Sequence, residues 1–143
     1  MSTKNTTRFG VLVLFMAIST TSFADDTRQL VKLPEMMQQH MLANMRDHLI
    51  SLNEILDDMA KGNLDEAARI AEMRLGMSSL DAHGASHMAP YMPKGMQDAG
   101  TAMHRAASRF ALKAGEGEAL PAYKMIGDIT ANCVACHTAY RIR

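Results

Sequence analysis

The sequence predicts an all-α chain folded as an antiparallel, up-down-up-down four-helix bundle, and three observations carry that expectation. Apolar residues recur every three or four positions through most of residues 33–140, and no alternating run long enough for a strand is present. Breakers fall at Gly62-Asn63, within residues 84–95 and at Gly115-Glu116-Gly117, which leaves four helical stretches of about 20 to 28 residues. The first and third links are short, and short links make antiparallel neighbours.

The N-terminal stretch is read apart from the fold. Lys4 and Arg8 precede an apolar run from Phe9 to Ile18, and Ser22-Phe23-Ala24 offers the small residues of a cleavage site, so residues 1–24 are expected to be an export signal. Ten apolar residues fall short of the roughly 20 that cross a bilayer, which disfavours a retained anchor. Residues 25–143 then form one domain in the periplasm, with no membrane attachment after cleavage. Loss of Lys4 and Arg8 leaves 13 basic against 15 acidic residues, and no basic block or basic-aromatic stripe points to nucleic acid. Only Tyr91, Phe110, Tyr123 and Tyr140 remain as aromatics, little bulk for a core of this size.

Asp25 to Lys32 is expected to be a polar lead-in. The first helix follows Pro34, a residue suited to a first turn, and places Leu33, Met37, Met41, Met45, His48 or Leu49, Leu52, Leu56 and Met59 on one stripe. It stops at Gly62. Asn63 with Glu66 three residues later predicts a reciprocal cap for the second helix, which points Leu64, Ala67, Ala68, Ala71, Leu75 and Leu80 inward and ends near Gly84. Gly84, Pro90, Pro93 and Gly95 mark residues 84–95 as a loop. The third helix begins at Pro93 or Lys94 and runs through Met96, Ala99, Met103, Ala106, Ala107 and Phe110 to Gly115. The fourth starts near Glu118 to Pro121 and carries Tyr123, Met125, Ile126 and Ile129 on to Tyr140.

Near the end of that last helix stands Cys133-Val134-Ala135-Cys136-His137. Cys133 and Cys136 are three apart and His137 is four from Cys133, so on a helix all three face one side. Two thiols and an imidazole at this spacing are the attachment signature of c-type haem, each thiol adding to a vinyl group and the imidazole ligating iron. A structural disulfide, a zinc site and a thioredoxin-like pair compete for the same residues. Zinc would want a fourth ligand and no second cysteine pair exists, while the redox motif opens a helix after a strand and this one closes a chain. Covalent haem c is therefore the expected cofactor, with His137 as a metal ligand, and its bulk would fill the aromatic-poor core.

Four predicted helices, an export signal and Cys133-x-x-Cys136-His137-x-x-Tyr140-Arg141 at the C-terminus resemble the class II c-type cytochromes, the group of cytochrome c-prime and its low-spin relatives. The resemblance implies haem at one end of a four-helix bundle, and Arg141 matches a basic residue often placed near the proximal imidazole. It implies that the first helix supplies whatever faces the other side of the iron. In the low-spin branch this is a methionine, and Met41-Leu42-Ala43-Asn44 is similar to the string that carries it, making Met41 the expected sixth ligand. Met45 or Met37 is the alternative, and a register that puts Leu42 over the iron would leave it five-coordinate. Those registers exclude one another, since one residue is about 100° of helix rotation. An arginine that relatives place one turn before the ligand is missing, because Met37 and Gln38 stand there; Arg46 or the 84–95 loop is left to reach a propionate.

Fourteen methionines are many for this length. His83, His87, Met88, Met92 and Met96 would suit Cu(I) if they shared a face, but Pro90 and Pro93 interrupt any such helix and methionine is a general gap filler. His40 and His48 flank Met41 and are expected at the surface or bundle end. No carboxylate pair or Ser/His/Asp set suggests catalysis. The sequence thus points to a non-enzymatic one-electron carrier of the periplasm that meets redox partner proteins and is compatible with a homodimer. A nitric oxide- or carbon monoxide-binding protein of the c-prime kind is the alternative, and copper handling by the Met/His segment the third.

Overall fold

A computed structural model describes residues 25–143, and the expected export signal lies outside them. The described chain is predominantly helical. Helix α1 spans Glu35–Lys61, α2 Leu64–Ile70, α3 Ala85–Met88, α4 Lys94–Gly115 and α5 Ala119–Ala139. Among the described residues no helix is long and apolar enough to cross a membrane.

Each boundary has a local cause. Pro34 precedes α1, and Gly62 closes it at φ 78°, a left-handed conformation that favours glycine. Asn63 opens α2 through its carbonyl, which accepts from Ala67 N–H at 3.0 Å, while its side chain turns back to Asp58. The reciprocal cap expected with Glu66 is therefore absent, because Glu66 is held by Arg69 instead.

The second helix is shorter than its apolar pattern predicts. After Ile70 it widens into a π-helical turn over Ala71–Leu75 and ends at Gly76, whose N–H donates to Ala71 O at 2.7 Å. A Cβ at Gly76 would lie 2.7 Å from the Glu72 carbonyl oxygen, so glycine fits the close backbone approach here. The Glu72 carboxylate accepts from Ser78 N–H and Oγ–H at 3.1 and 2.6 Å, and Ser108 Oγ accepts from Met77 N–H at 2.9 Å. These side chains take the donors that a helix continuing to Gly84 would need. Short 3₁₀ turns at Met77–Ser79 and Ala89–Tyr91 flank α3, so the expected 84–95 loop is largely helical turns.

Two apolar clusters form the core. The larger joins α1, α2, the π turn, α4 and α5 through Ile55, Ile70, Leu75, Phe110, Ile126 and Ile129. Ala106, Ala107, Ala114 and Ala122 are essentially inaccessible, and these small residues let α4 and α5 approach closely. The smaller comprises Val31, Met41, Met88 and Met96, with Met37, Met45, Met92, Cys136 and Tyr140 packed against it. Phe110 is fully buried and Tyr140 half-buried, whereas Tyr91 and Tyr123 are exposed, so the core relies on methionine and alanine.

The stripe on α1 departs from its apolar reading. Leu49 and Leu56 are exposed, and Asn44 and Ser51 are buried in their place. Both polar residues are satisfied: Asn44 Nδ2 donates to His83 O at 2.9 Å, and Ser51 Oγ donates to Asp47 O at 2.8 Å. Arg74 of the π turn pairs with Asp47 and Glu54 of α1.

The all-helical expectation needs one correction. Strands β1, Gln29–Leu30, and β2, Tyr140–Arg141, form a two-residue parallel ladder with Gln29 opposite Tyr140 and Leu30 opposite Arg141. Val31 N–H extends it by donating to Arg141 O at 2.7 Å, and Val31 is buried. The expected polar lead-in thus clasps the C-terminus beside the end of α5. A pairing of two residues is too short to print an alternating pattern on the sequence.

Candidate functional site

The second half of α5 brings the cysteine motif onto a cavity of about 340 Å³ enclosed by α1, residues 80–92, α4 and α5. Cys133, Cys136 and His137 line it together, as helical spacing predicts. Cys133 packs on the larger apolar cluster and Cys136 on the smaller, so the two thiols straddle the seam of the core. Both cysteines are free and half-buried, and His137 is exposed in the last turn of α5.

Burial pushes both thiols above their ordinary range, Cys136 further through the neighbouring Cys133. A redox-active pair needs the opposite shift, because the thiolate is the reactive form. A closed structural zinc site needs four ligands, and His137 is the one imidazole adjoining the pair in sequence. Two thiols facing one cavity could hold a group there through thioethers. The donor set of two thiols and an adjacent imidazole fits haem c.

Across the cavity from the motif, α1 contributes Met41, buried at 7% exposure, and Met45, half-buried. Met88, Met92, Met96 and Met103 add further thioethers to the lining. Met37 belongs to the adjoining cluster but is not part of the wall, and neither is Leu42. Among the described residues the wall contains no Lys, Arg, Asp or Glu. Arg46, offered as a propionate partner, is exposed and does not contribute to it.

Arg141 also lies off the wall. Its backbone is held in the ladder and its Nε stands 3.5 Å from Asp26 Oδ2, too long and poorly aimed to count as a hydrogen bond. Asp26 is bonded by Arg28, whose guanidinium holds that carboxyl down to about 2. Arg28 Nη1 reaches the His137 carbonyl at 3.4 Å, so the cation that contacts the motif backbone is one that the sequence pattern does not single out.

The upper wall carries three imidazoles from three elements. His48 on α1, His83 in the turn before α3 and His104 on α4 have ring centroids 4.7, 5.7 and 5.4 Å apart. Burial lowers the pKa of all three; for His48 the neighbouring His83 and His104 add to it and bring it to about 4. The sequence assigned His48 to a surface or bundle-end position and grouped His83 with His87. His83 is buried whereas His87 is exposed, and its partners are residues far away in the chain. The available signal was the sequence position of His104 directly after Met103 on the apolar stripe of α4, and of His48 one turn before Leu52 on that of α1.

Comparison with protein-family models, with curated proteins and with solved structures finds no match to this chain.

Proposed function

We propose that the chain is an exported c-type haem protein that carries single electrons in the periplasm, folded as an up-down-up-down four-helix bundle of the class II cytochrome kind. In that arrangement α1, α2 with its π turn, α4 and α5 are the four helices, and residues 76–93 are the one long connection. One observation carries the reading: Cys133, Cys136, His137 and Met41 line a single apolar cavity although they come from the first and last long helices.

Cys133 and Cys136 would hold the porphyrin through thioethers, and His137 and Met41 would supply ligands to the iron. Bound there, haem supplies a one-electron Fe(III)/Fe(II) couple. Met41 would tune that couple, since a thioether favours Fe(II) and raises the potential. The surrounding methionines, and a wall without Lys, Arg, Asp or Glu among the described residues, would act in the same direction by lowering the polarity about the iron. Partners are then redox proteins of the same compartment, with a homodimer as a further assembly.

Optical spectra of the purified protein, oxidised and reduced, with and without carbon monoxide, test this reading. A low-spin spectrum indifferent to carbon monoxide is expected for an electron carrier. High-spin iron that takes up carbon monoxide readily would favour the gas-binding alternative and remove Met41 from the coordination sphere.

A further inference from the structure

We propose that His48, His83 and His104 form a second metal site, separate from the cysteine motif, for a divalent transition ion of the Zn²⁺ class. Each offers a ring nitrogen, and the three atoms lie within 4.8 Å of one another. His48 Nε2 and His83 Nδ1 are 3.5 Å apart, close to the roughly 3.3 Å edge of a tetrahedron whose ligands stand 2.0–2.1 Å from zinc. The remaining closure is within the reach of small ring rotations.

The surroundings orient the rings as ligands. His104 Nδ1–H donates to Leu75 O at 2.7 Å, which fixes the proton on Nδ1 and leaves the Nε2 lone pair free. Ser79 Oγ–H donates to Gly76 O at 2.7 Å, so the hydroxyl proton is engaged there and does not occupy the lone pair of His83 Nδ1, which stands 3.3 Å from that oxygen. Asn44 ties the His83 carbonyl to α1. The contacts between the rings are long, and no carboxylate enters the group; the nearest, Asp47, is engaged by Arg74. His48 and His83 meet only through a 3.5 Å contact, and a cation placed between the rings would give their ring nitrogens a closer partner.

The donor set selects the ion. Imidazole nitrogens without carboxylates suit zinc, copper or nickel and disfavour calcium and magnesium. Three protein ligands leave a fourth position, and all three histidines line the central cavity, from which an exchangeable ligand can enter.

The inference does not depend on haem, and one experiment separates the two. Purified full-length protein, stripped with chelator, is dialysed against buffered Zn²⁺ and assayed for zinc by elemental analysis and for haem by its alkaline pyridine spectrum. One zinc per chain is expected, bound at least 10-fold more weakly in His48→Gln and in His104→Gln and unchanged in His87→Ala. Zinc K-edge X-ray absorption of the wild type covers the case in which a variant fails to fold, with imidazole nitrogen and no sulfur expected. No stoichiometric zinc, sulfur scattering, or zinc lost in Cys133→Ser but kept in the folded histidine variants would overturn the site. Zinc on imidazoles in a sample without haem would leave this inference standing and remove the haem reading.

Discussion

Met41 on α1 and Cys136 on α5 pack in the same apolar cluster and line the same cavity. The first and last long helices therefore meet through side chains at the site, and the methionine stands where a group held by the cysteines would find it. Met45, one turn further along α1, shares the wall but is half-buried.

That placement separates the two methionines by experiment. Met41→Ala is expected to abolish the weak near-infrared sulfur-to-iron band and to open the iron to carbon monoxide. Met45→Ala should keep the band and lose about 2 kcal/mol or less of stability, since a half-buried methionine leaves a smaller cavity than a buried one. Loss of the band in Met45→Ala with retention in Met41→Ala would exchange their roles.

The larger cluster sets the stability of the fold. Phe110 has no accessible surface and sits among α1, α2, α4 and α5, so Phe110→Ala should cost about 3 to 5 kcal/mol. Leu112, exposed on the same helix, should cost under about 0.5 kcal/mol when replaced by alanine. Urea unfolding followed by helical circular dichroism checks the contrast, and equal losses would contradict the packing.

Much of this arrangement was legible in the sequence and some of it was not. Gly62, Pro93 and Gly117 punctuate the chain because each solves a local backbone problem, and local problems show in local sequence. The cysteine motif was legible for the same reason. The end of the second helix was not, because Ser108 on α4 helps to terminate it and no window around Gly76 contains that residue. The inward turn of Asn44 and Ser51 depends on His83 and on the α1 backbone, so an apolar stripe drawn through Leu49 and Leu56 misses it. The trio of histidines joins three elements, and only the fold brings it together.

Acid should weaken the metal-free protein before any carboxylate network fails. His48 has its pKa lowered from 6.5 to about 4 in the fold, so the unfolded chain takes up its proton first as pH falls. Its contribution to stability is complete above about 6.5 and is lost progressively down to about 4, by up to about 3 kcal/mol. His83 and His104 shift in the same direction for the same reason, while Asp47, held low by Arg74, stays ionised through most of this window. Denaturation midpoints between pH 7 and 4.5 should fall, and His48→Gln should flatten the slope. A flat wild-type profile would mean that these rings are not buried in the neutral form.

Covalent attachment of haem to Cys133 and Cys136 is the claim on which the functional account rests. Intact-mass measurement of the denatured, acid-acetone-extracted protein under thiol-alkylating conditions addresses it directly. A chain heavier by one haem with neither cysteine alkylated is expected, and in Cys133→Ala,Cys136→Ala a chain without haem. A wild-type chain of apoprotein mass with two alkylated cysteines, from cells competent to attach c-type haem, would contradict it.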